Sequence, residues 1–247
     1  MKRNSAIPAI IITAALSLFM SGCVIINLSG SLSVSPKGEK ETYMIRTGDF
    51  NGIIVESACV INYYSAPSDS VTLSIQPNLR EYFMAEVVEN NLVIYTTRNI
   101  NFNLKNSPEL TVSVPVLNRI AVKGACDFKA HDKIKTDSLI FSLMGTGSGT
   151  AELGVENLSA SISGAGKLDL SGEAAAADFV LSGTGELNAL PLQVQDANVS
   201  LSGTGTIRVN SSENLRINAN GTGAVVYKGS PRLELNKNGL VNVMQVN

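Results

Sequence analysis

The chain has 247 residues, a formal net charge of −2, 44% hydrophobic residues, only 5% aromatic residues and no tryptophan. Of its 19 basic residues, Lys2 and Arg3 stand in the leader described below, which leaves 17 against 21 acidic residues and no basic run. This balance excludes a nucleic-acid partner, because such binding needs clustered Lys and Arg to neutralise phosphates. A core drawn from Val, Ile, Leu and Ala favours thin stacked layers over a bulky centre.

The first residues predict a lipoprotein export signal. Residues 1–22 begin with the basic MKR, continue with an apolar stretch from Ala9 to Met20 and end in two small residues before Cys23. The apolar stretch is too short for a comfortable membrane span. The sequence before Cys23 resembles the lipobox of bacterial lipoproteins, with Met20 in place of Leu, which implies cleavage after residue 22 and acylation of Cys23. An uncleaved anchor helix is the alternative.

Export follows from either interpretation of the leader. We expect residues 23–45 to form a lipid-anchored tether and residues 46–247 to form a single domain. The residue after Cys23 is Val24, not the Asp that marks inner-membrane retention in enterobacterial lipoproteins. That resemblance favours the outer membrane and does not decide which side the domain faces.

The next part of the chain predicts strands and hairpins. Apolar and polar residues alternate in 50–64, 70–75, 91–97 and 109–114, as in half-buried strands. Within residues 78–90 a helical turn is the alternative, but the run into Asn90 suits a hairpin better. We therefore expect a first layer near residue 50, a hairpin-rich excursion that ends at Pro115, and regular coils from about residue 118.

A repeated Gly-x-Gly block dominates the remaining sequence. The first glycines of successive blocks are spaced by 21, 19, 19, 20 and 18 residues: Gly124, Gly145, Gly164, Gly183, Gly203 and Gly221. Alternating strands flank each block, and a unit of this size cannot bury its apolar face alone. The sequence therefore predicts an all-β solenoid of about six coils, each of roughly 19 residues.

The paired glycines are predicted to be structural corners. Only Gly turns sharply with φ > 0 without a Cβ penalty, and stacked corners bring backbones close together. The assigned corner residues are Gly164, Gly166, Gly183, Gly185, Gly203, Gly205, Gly221 and Gly223.

One repeat, 143-LMGTGSGTAEL, has an ambiguous register. Its corner is either Gly145 with Gly147 or Gly147 with Gly149. The second choice requires a two-residue bulge and places Glu152 beside Asp169. With Glu186 these residues would form an acidic stripe, either a solvated face or a Ca²⁺ site, and the acidic nonapeptide of calcium-binding β-rolls is not present.

The residues that usually carry chemistry are scarce. GTGSGT (145–150) has the glycines of a phosphate loop, but an alternating segment follows it in place of the required helix. The single histidine, His131, lies in a polar connector, so it provides neither a His-based metal site nor a catalytic triad. We expect no cofactor, no metal and no catalytic residue.

Two further cysteines stand at matching places in similar segments, SACVIN and GACDFK. If these segments are neighbouring layers, Cys59 and Cys126 come within disulfide range, and export permits oxidation. The alternative is a pair of small buried apolar residues, since in-register parallel neighbours strain the bond.

Several motifs, taken in order, resemble one family. They are the lipobox, FNGIIVESACVINYY, NNLVIYT, the 117–127 segment LNRIAVKGACD, the repeated SGxG units and the closing YKGSP at 227–231. Together they resemble the putative auto-transporter adhesin, head GIN domain family across residues 49–235. Lys123 and Met144 depart from the usual Ser. The resemblance implies a right-handed parallel β-helix, no catalytic residues and a role in cell adhesion.

The expected function is therefore non-enzymatic. We expect a membrane-anchored scaffold that presents its solenoid surface to carbohydrate or protein. The alternatives are a polysaccharide-active enzyme on the same fold and a structural spacer of the envelope without a ligand.

Overall fold

The computed structural model describes residues 34–98, 100 and 107–247, so the predicted signal and Cys23 lie outside the described part. A short 3-10 helix covers Pro77–Tyr82. Among the described residues, no helix has the length and apolar character needed to span a membrane. The strands are β1 Glu41–Ile45, β2 Gly52–Val55, β3 Cys59–Ser65, β4 Ser70–Ile75, β5 Phe83–Val88, β6 Asn91–Thr96, β7 Glu109–Val114, β8 Arg119–Val122, β9 Ala125–Ala130, β10 Ile134–Leu143, β11 Thr146–Ile162, β12 Ala165–Leu181, β13 Thr184–Leu201, β14 Thr204–Ala219, β15 Thr222–Lys228, β16 Arg232–Lys237 and β17 Leu240–Val246.

From β8 onwards the chain winds as a β-solenoid, which confirms the predicted fold class. Each coil runs along one side, passes a glycine corner, and continues along a second side to a return turn. Every strand pairs in parallel with its equivalent in the next coil, so that Leu168 lies beside Leu187, and Leu187 beside Ile207. We call such a row of equivalent positions a column. Gly239 adds a seventh glycine corner, and the solenoid has about seven turns where the sequence predicted about six.

The core is a set of inward-facing columns filled with aliphatic side chains. In β11, for example, Leu158, Ala160 and Ile162 are buried, whereas Ser159 between them is exposed. This period of two is what a strand with one buried face requires. Stacking of coils therefore excludes water from a core that no single repeat could form.

Stacking does not follow chain order at the N-terminal end. The coil of β2 and β3 lies between two others: β6 and β7 pair with it on one side, and β8 and β9 on the other. The segment between β3 and β8 was expected to be a hairpin-rich excursion. It contains the hairpin of β5 and β6, and β6 and β7 also form a further parallel coil, inserted below the first one.

Antiparallel strands cover this end of the solenoid. β4 pairs with β7 and β1 pairs with β4, while β5 forms a hairpin with β6. The hairpin predicted near Asn90 is confirmed: Glu89 and Asn90 take φ values of 49° and 60°, as tight two-residue turns between strands require. The sheet begins at Glu41, inside the range 23–45 that the sequence predicted as tether.

Candidate functional site

The first glycine of each corner is required by close backbone packing. The N–H of Thr184 donates to the carbonyl oxygen of Gly164 over 2.9 Å, and Thr204 makes the same bond to Gly183. A Cβ atom on either of these glycines would lie closer than 3.0 Å to a carbonyl oxygen of the coil below. A side chain at this position would therefore separate the coils.

Backbone conformation distinguishes the second glycine of each corner from the first. Positive φ occurs at second glycines, such as 132° at Gly147 and 135° at Gly223, and at none of the first glycines. The expected left-handed turn is thus confined to one residue of the pair. Gly166 is an exception, because its φ is not in the positive range.

The ambiguous repeat takes the register in which Gly145 and Gly147 form the corner. Gly147 pairs with Cys126 on one side and Gly166 on the other. Gly149 lies in the core, where a Cβ atom would come within 2.5 Å of the Phe141 ring. Gly149 therefore leaves space for the ring of Phe141, which lies in β10, the strand before the corner. It is not itself a corner residue.

The expected acidic stripe does not form. Glu152 pairs with Ser171 in place of Asp169, and Glu186 pairs with Lys167. Asp169 accepts a hydrogen bond of 3.0 Å from the Asn188 amide. Among the described residues, no three His, Cys, Asp or Glu side chains come together in a way that could hold a metal ion.

An ion pair links coils two apart on the return side. Lys133 Nζ lies 2.8 Å from Glu173 Oε1, and its side chain passes over Gly154 of the intervening coil. This hydrogen bond raises the pKa of Lys133 and lowers that of Glu173. Glu173 is exposed and Lys133 is half-buried at the surface, so the pair is a surface contact of modest strength.

The two cysteines of the first coils are adjacent, in register and buried. Cys59 pairs with Cys126, their Sγ atoms are 3.6 Å apart, and both are free thiols in the structure. The hydrogen bond to Cys126, followed by burial, raises the pKa of the Cys59 thiol. Neither is placed for reaction with an external substrate.

The histidine has well-defined neighbours. The His131 ring stacks on Tyr64 with 4.7 Å between centroids, and its Nε2 atom lies 2.9 Å from Asn62 Oδ1. No carboxylate or nucleophile approaches it within hydrogen-bond distance among the described residues. Its environment is that of a surface contact between coils.

A polar surface lies near the C-terminal end, on the side formed by β13, β14 and β16. Two adjacent columns of side chains point outwards there, and we call the groove that they line the polar groove. The first column contributes Asn198, Arg216 and Glu234 to the groove, and the second contributes Asp196, Asn214 and Arg232; Asp178 continues the first column beyond the groove. The groove has a volume of about 540 Å³, within the usual range of ligand sites.

Hydrogen bonds between coils hold most of these groups in place. Asn198 donates to Asp178 over 2.9 Å, Asn214 donates to Asp196 over 2.6 Å, and Arg216 pairs with Glu234. The guanidinium of Arg232 has no hydrogen bond or ion pair to any described residue. Sequence reasoning missed this groove, because its members are single polar residues that only the exact register of the coils brings side by side.

Comparison with known proteins agrees with this architecture. The family described as putative auto-transporter adhesin, head GIN domain, matches residues 49–231. A putative adhesin from Bacteroides fragilis superposes with a TM-score of 0.82 at 24% identity, covering 87% of this chain and 100% of its own. No curated protein matches the chain.

Two further solved structures have the same fold. A putative adhesin from Parabacteroides merdae has a TM-score of 0.68 at 22% identity, covering 87% of this chain and 99% of its own. A protein from Parabacteroides distasonis described as putative lipid binding has a TM-score of 0.69 at 21% identity, covering 87% and 100%. At these identities the likeness concerns the fold.

Proposed function

The chain belongs to the putative auto-transporter adhesin, head GIN domain family, and from that premise we propose that it is a non-enzymatic cell-envelope lipoprotein that binds carbohydrate in the polar groove. Neither the family nor the structural relatives are described as enzymes. The observation that carries the proposal is the pair of polar columns in the groove, with the guanidinium of Arg232 beside Asn214 and without an ion pair to any described residue.

The groups in the groove suit a ligand rich in hydroxyls. Amides, carboxylates and guanidinium groups supply both donors and acceptors, and each planar group can engage two ligand atoms at once. In the groove these groups recur at the strand spacing of ~4.8 Å, so an extended chain of sugar units lying along the solenoid would meet similar partners at each coil. The formal charges of Asp196, Arg216, Arg232 and Glu234 cancel, which fits a neutral or weakly acidic glycan.

The position of the groove also suits presentation away from a membrane. The predicted anchor, Cys23, precedes β1 in the chain, and β1 and β4 cover one end of the solenoid. The groove lies near the opposite end. The stacked coils between the two ends would act as a rigid spacer, because consecutive coils are hydrogen-bonded along their length.

Binding of the purified full chain to a panel of soluble polysaccharides, measured by calorimetry, tests this proposal. We expect Arg232→Ala with Asn214→Ala to weaken binding at least about tenfold, as loss of charge-assisted hydrogen bonds should. Arg119→Ala is the matched control, since Arg119 stands in the same column as Arg216 at the other end of the solenoid. Equal losses of affinity in both variants would show that the polar groove is not the binding site.

Product analysis in the same experiment separates the proposal from the enzyme alternative. Binding without chain cleavage supports a binding protein, while shortened glycans would identify a polysaccharide-active enzyme. A spacer without a ligand predicts no binding to any member of the panel.

A further inference from the structure

An exposed aromatic ring stands on the second side of the solenoid, where β3 and β9 are neighbours. Tyr64 in β3 is 37% exposed, and its ring stacks on the His131 ring with 4.7 Å between centroids and 6° between ring planes. This distance matches the spacing of adjacent strands, so the two rings stack along the solenoid axis. His131 therefore covers one flat face of Tyr64, and the other face points towards β7, on the opposite side of β3.

Short side chains lie beside this second face of the Tyr64 ring. Tyr64 pairs with Ser113 of β7, and Ser113 pairs with Ser70 of β4. All three residues stand at outward positions in the alternation of their strands. A serine hydroxyl ends close to the backbone, whereas a phenol ring extends well beyond it. The two serines therefore leave a space beside the ring that is two strand spacings wide, ~10 Å, and we call it the ring slot.

Tyr64 differs from two other tyrosines of this end in what lies on its ring. The guanidinium of Arg80 lies 5.7 Å from the centre of the Tyr43 ring, and that of Arg98 lies 5.3 Å from the centre of the Tyr82 ring. Cations of the chain itself thus occupy these two rings. Among the described residues, no Lys or Arg lies over Tyr64 in this way. Its second face is therefore left for a partner from outside the chain.

Hydroxyl groups surround the foot of the ring slot. Thr111 stands two residues before Ser113 in β7, and Thr72 of β4 pairs with Thr111. Both threonines stand at outward positions, beside Ser113 and Ser70. The four hydroxyls are spaced by ~4.8 Å between strands and ~7 Å along them. Because each hydroxyl can both donate and accept a hydrogen bond, the slot combines an apolar ring face with a neutral polar floor.

We propose that the ring slot binds one pyranose unit of a glycan, with a C–H face of the sugar stacked on Tyr64 and its rim hydroxyls bonded to Ser113 and Thr111. A pyranose is amphipathic in the matching sense, and the negative face of an aromatic ring attracts the weakly positive C–H groups. At a contact distance of about 4 Å the sugar fits within the two strand spacings of the slot. An aromatic ligand would stack as well but would leave the four hydroxyls without new partners. The site lies on the other side of the solenoid from the polar groove and does not depend on it.

Saturation-transfer NMR of the purified full chain with the methyl pyranosides of glucose, galactose and mannose tests the site. When the aromatic protons of the protein are irradiated, we expect the strongest transfer to the C–H protons of one sugar face. Tyr64→Phe should keep this signal, while Tyr64→Ala should weaken binding at least about tenfold. Tyr95→Ala is the matched control, since Tyr95 is a strand tyrosine on the first side, and it should bind as the wild type does. Equal transfer to both sugar faces, or no transfer to any of the three sugars, would overturn the proposal.

Filling the ring slot provides a second test that keeps the Tyr64 ring in place. Ser113→Leu sets an apolar side chain against the open ring face and should abolish the transfer, whereas Ser159→Leu, at an exposed serine of β11 on the first side, should not. Transfer that persists in Ser113→Leu would contradict the proposal. The groove variant Arg232→Ala with Asn214→Ala should also keep the signal. Its loss there would assign the sugar to the polar groove and overturn the second site, so the two sites can fail separately.

Discussion

Cys59 and Cys126 are direct neighbours in adjacent coils although 67 positions separate them in the chain, with 3.6 Å between their Sγ atoms. Both side chains are buried, at 3% and 1% exposure. We expect an alkylating reagent to leave both thiols unmodified in the folded chain and to modify both after unfolding, as counted by mass spectrometry. A disulfide found in the exported chain would show instead that the pair is oxidised before burial.

The raised pKa of Cys59 predicts a loss of stability at alkaline pH. A thiol whose pKa is higher in the folded state stays neutral there, while in the unfolded chain it ionises above its ordinary value of 9.0. Its contribution is therefore complete below that value and falls as the pH rises towards the folded pKa. Under reducing conditions, urea unfolding between about pH 8 and pH 10 should show a decline that Cys59→Ala makes shallower. An unchanged slope in the variant would contradict this.

Replacing a corner glycine should destabilise the solenoid strongly. Gly164→Ala places a Cβ atom against the carbonyl oxygen of Gly145, where backbone and not a flexible side chain must move. We expect a loss of about 3 kcal/mol in the free energy of unfolding. Gly48→Ala is the control, because a Cβ atom there meets nothing within 4 Å. A similar loss in both variants would show that close approach is not the cause.

Gly149 and Phe141 should behave as a pair. In Gly149→Ala the new methyl group would overlap the Phe141 ring, at a cost of about 1–3 kcal/mol. Phe141→Leu makes space at the same place, so the double variant should be less destabilised than the sum of the single variants. Thermal unfolding of the four chains measures this coupling, and simple additivity would argue against it.

The buried hydroxyl of Ser211 should stabilise a return turn. Its Oγ atom lies 3.0 Å from the carbonyl oxygen of Gln195 and 2.9 Å from that of Asn214. Ser211→Ala removes the donor of these part-buried hydrogen bonds, and we expect a loss of about 1–2 kcal/mol on chemical unfolding. Ser212→Ala, whose Oγ atom makes one longer contact of 3.4 Å, should change stability less.

The predicted anchor at Cys23 can be tested in cells. Cys23→Ser should move the chain from the membrane fraction to the soluble fraction and abolish incorporation of a labelled fatty acid. Cys126→Ser should keep both properties, since Cys126 is buried in β9, inside the solenoid. Retention of Cys23→Ser in the membrane would favour an uncleaved leader.

The regular part of the fold was predictable because one physical requirement recurs. Backbones meet at every corner, so each repeat shows a glycine at the same place, and alternating side chains mark the strands around it. The neighbouring cysteines followed from the likeness of SACVIN and GACDFK, and the structure places them in register.

The irregular parts were less accessible because the same residue type serves different purposes. Gly149 accommodates Phe141 in the core but looks like a corner glycine in the sequence, which shifted the expected position of Glu152. The insertion of β6 and β7 below the first coil left no sequence signal, since parallel and antiparallel strands share the same alternation. The polar groove depends on the register of three coils, which single repeats do not reveal.

The position of the coil formed by β2 and β3 also restricts how such a molecule can change in length during evolution. Because later segments flank this coil on both sides, an extra copy added before it would meet strands already in place. Duplication or loss of whole units is tolerated only where identical neighbours succeed one another, in β11 to β14. Longer and shorter homologues should accordingly share the same N-terminal coils and differ in the number of middle repeats.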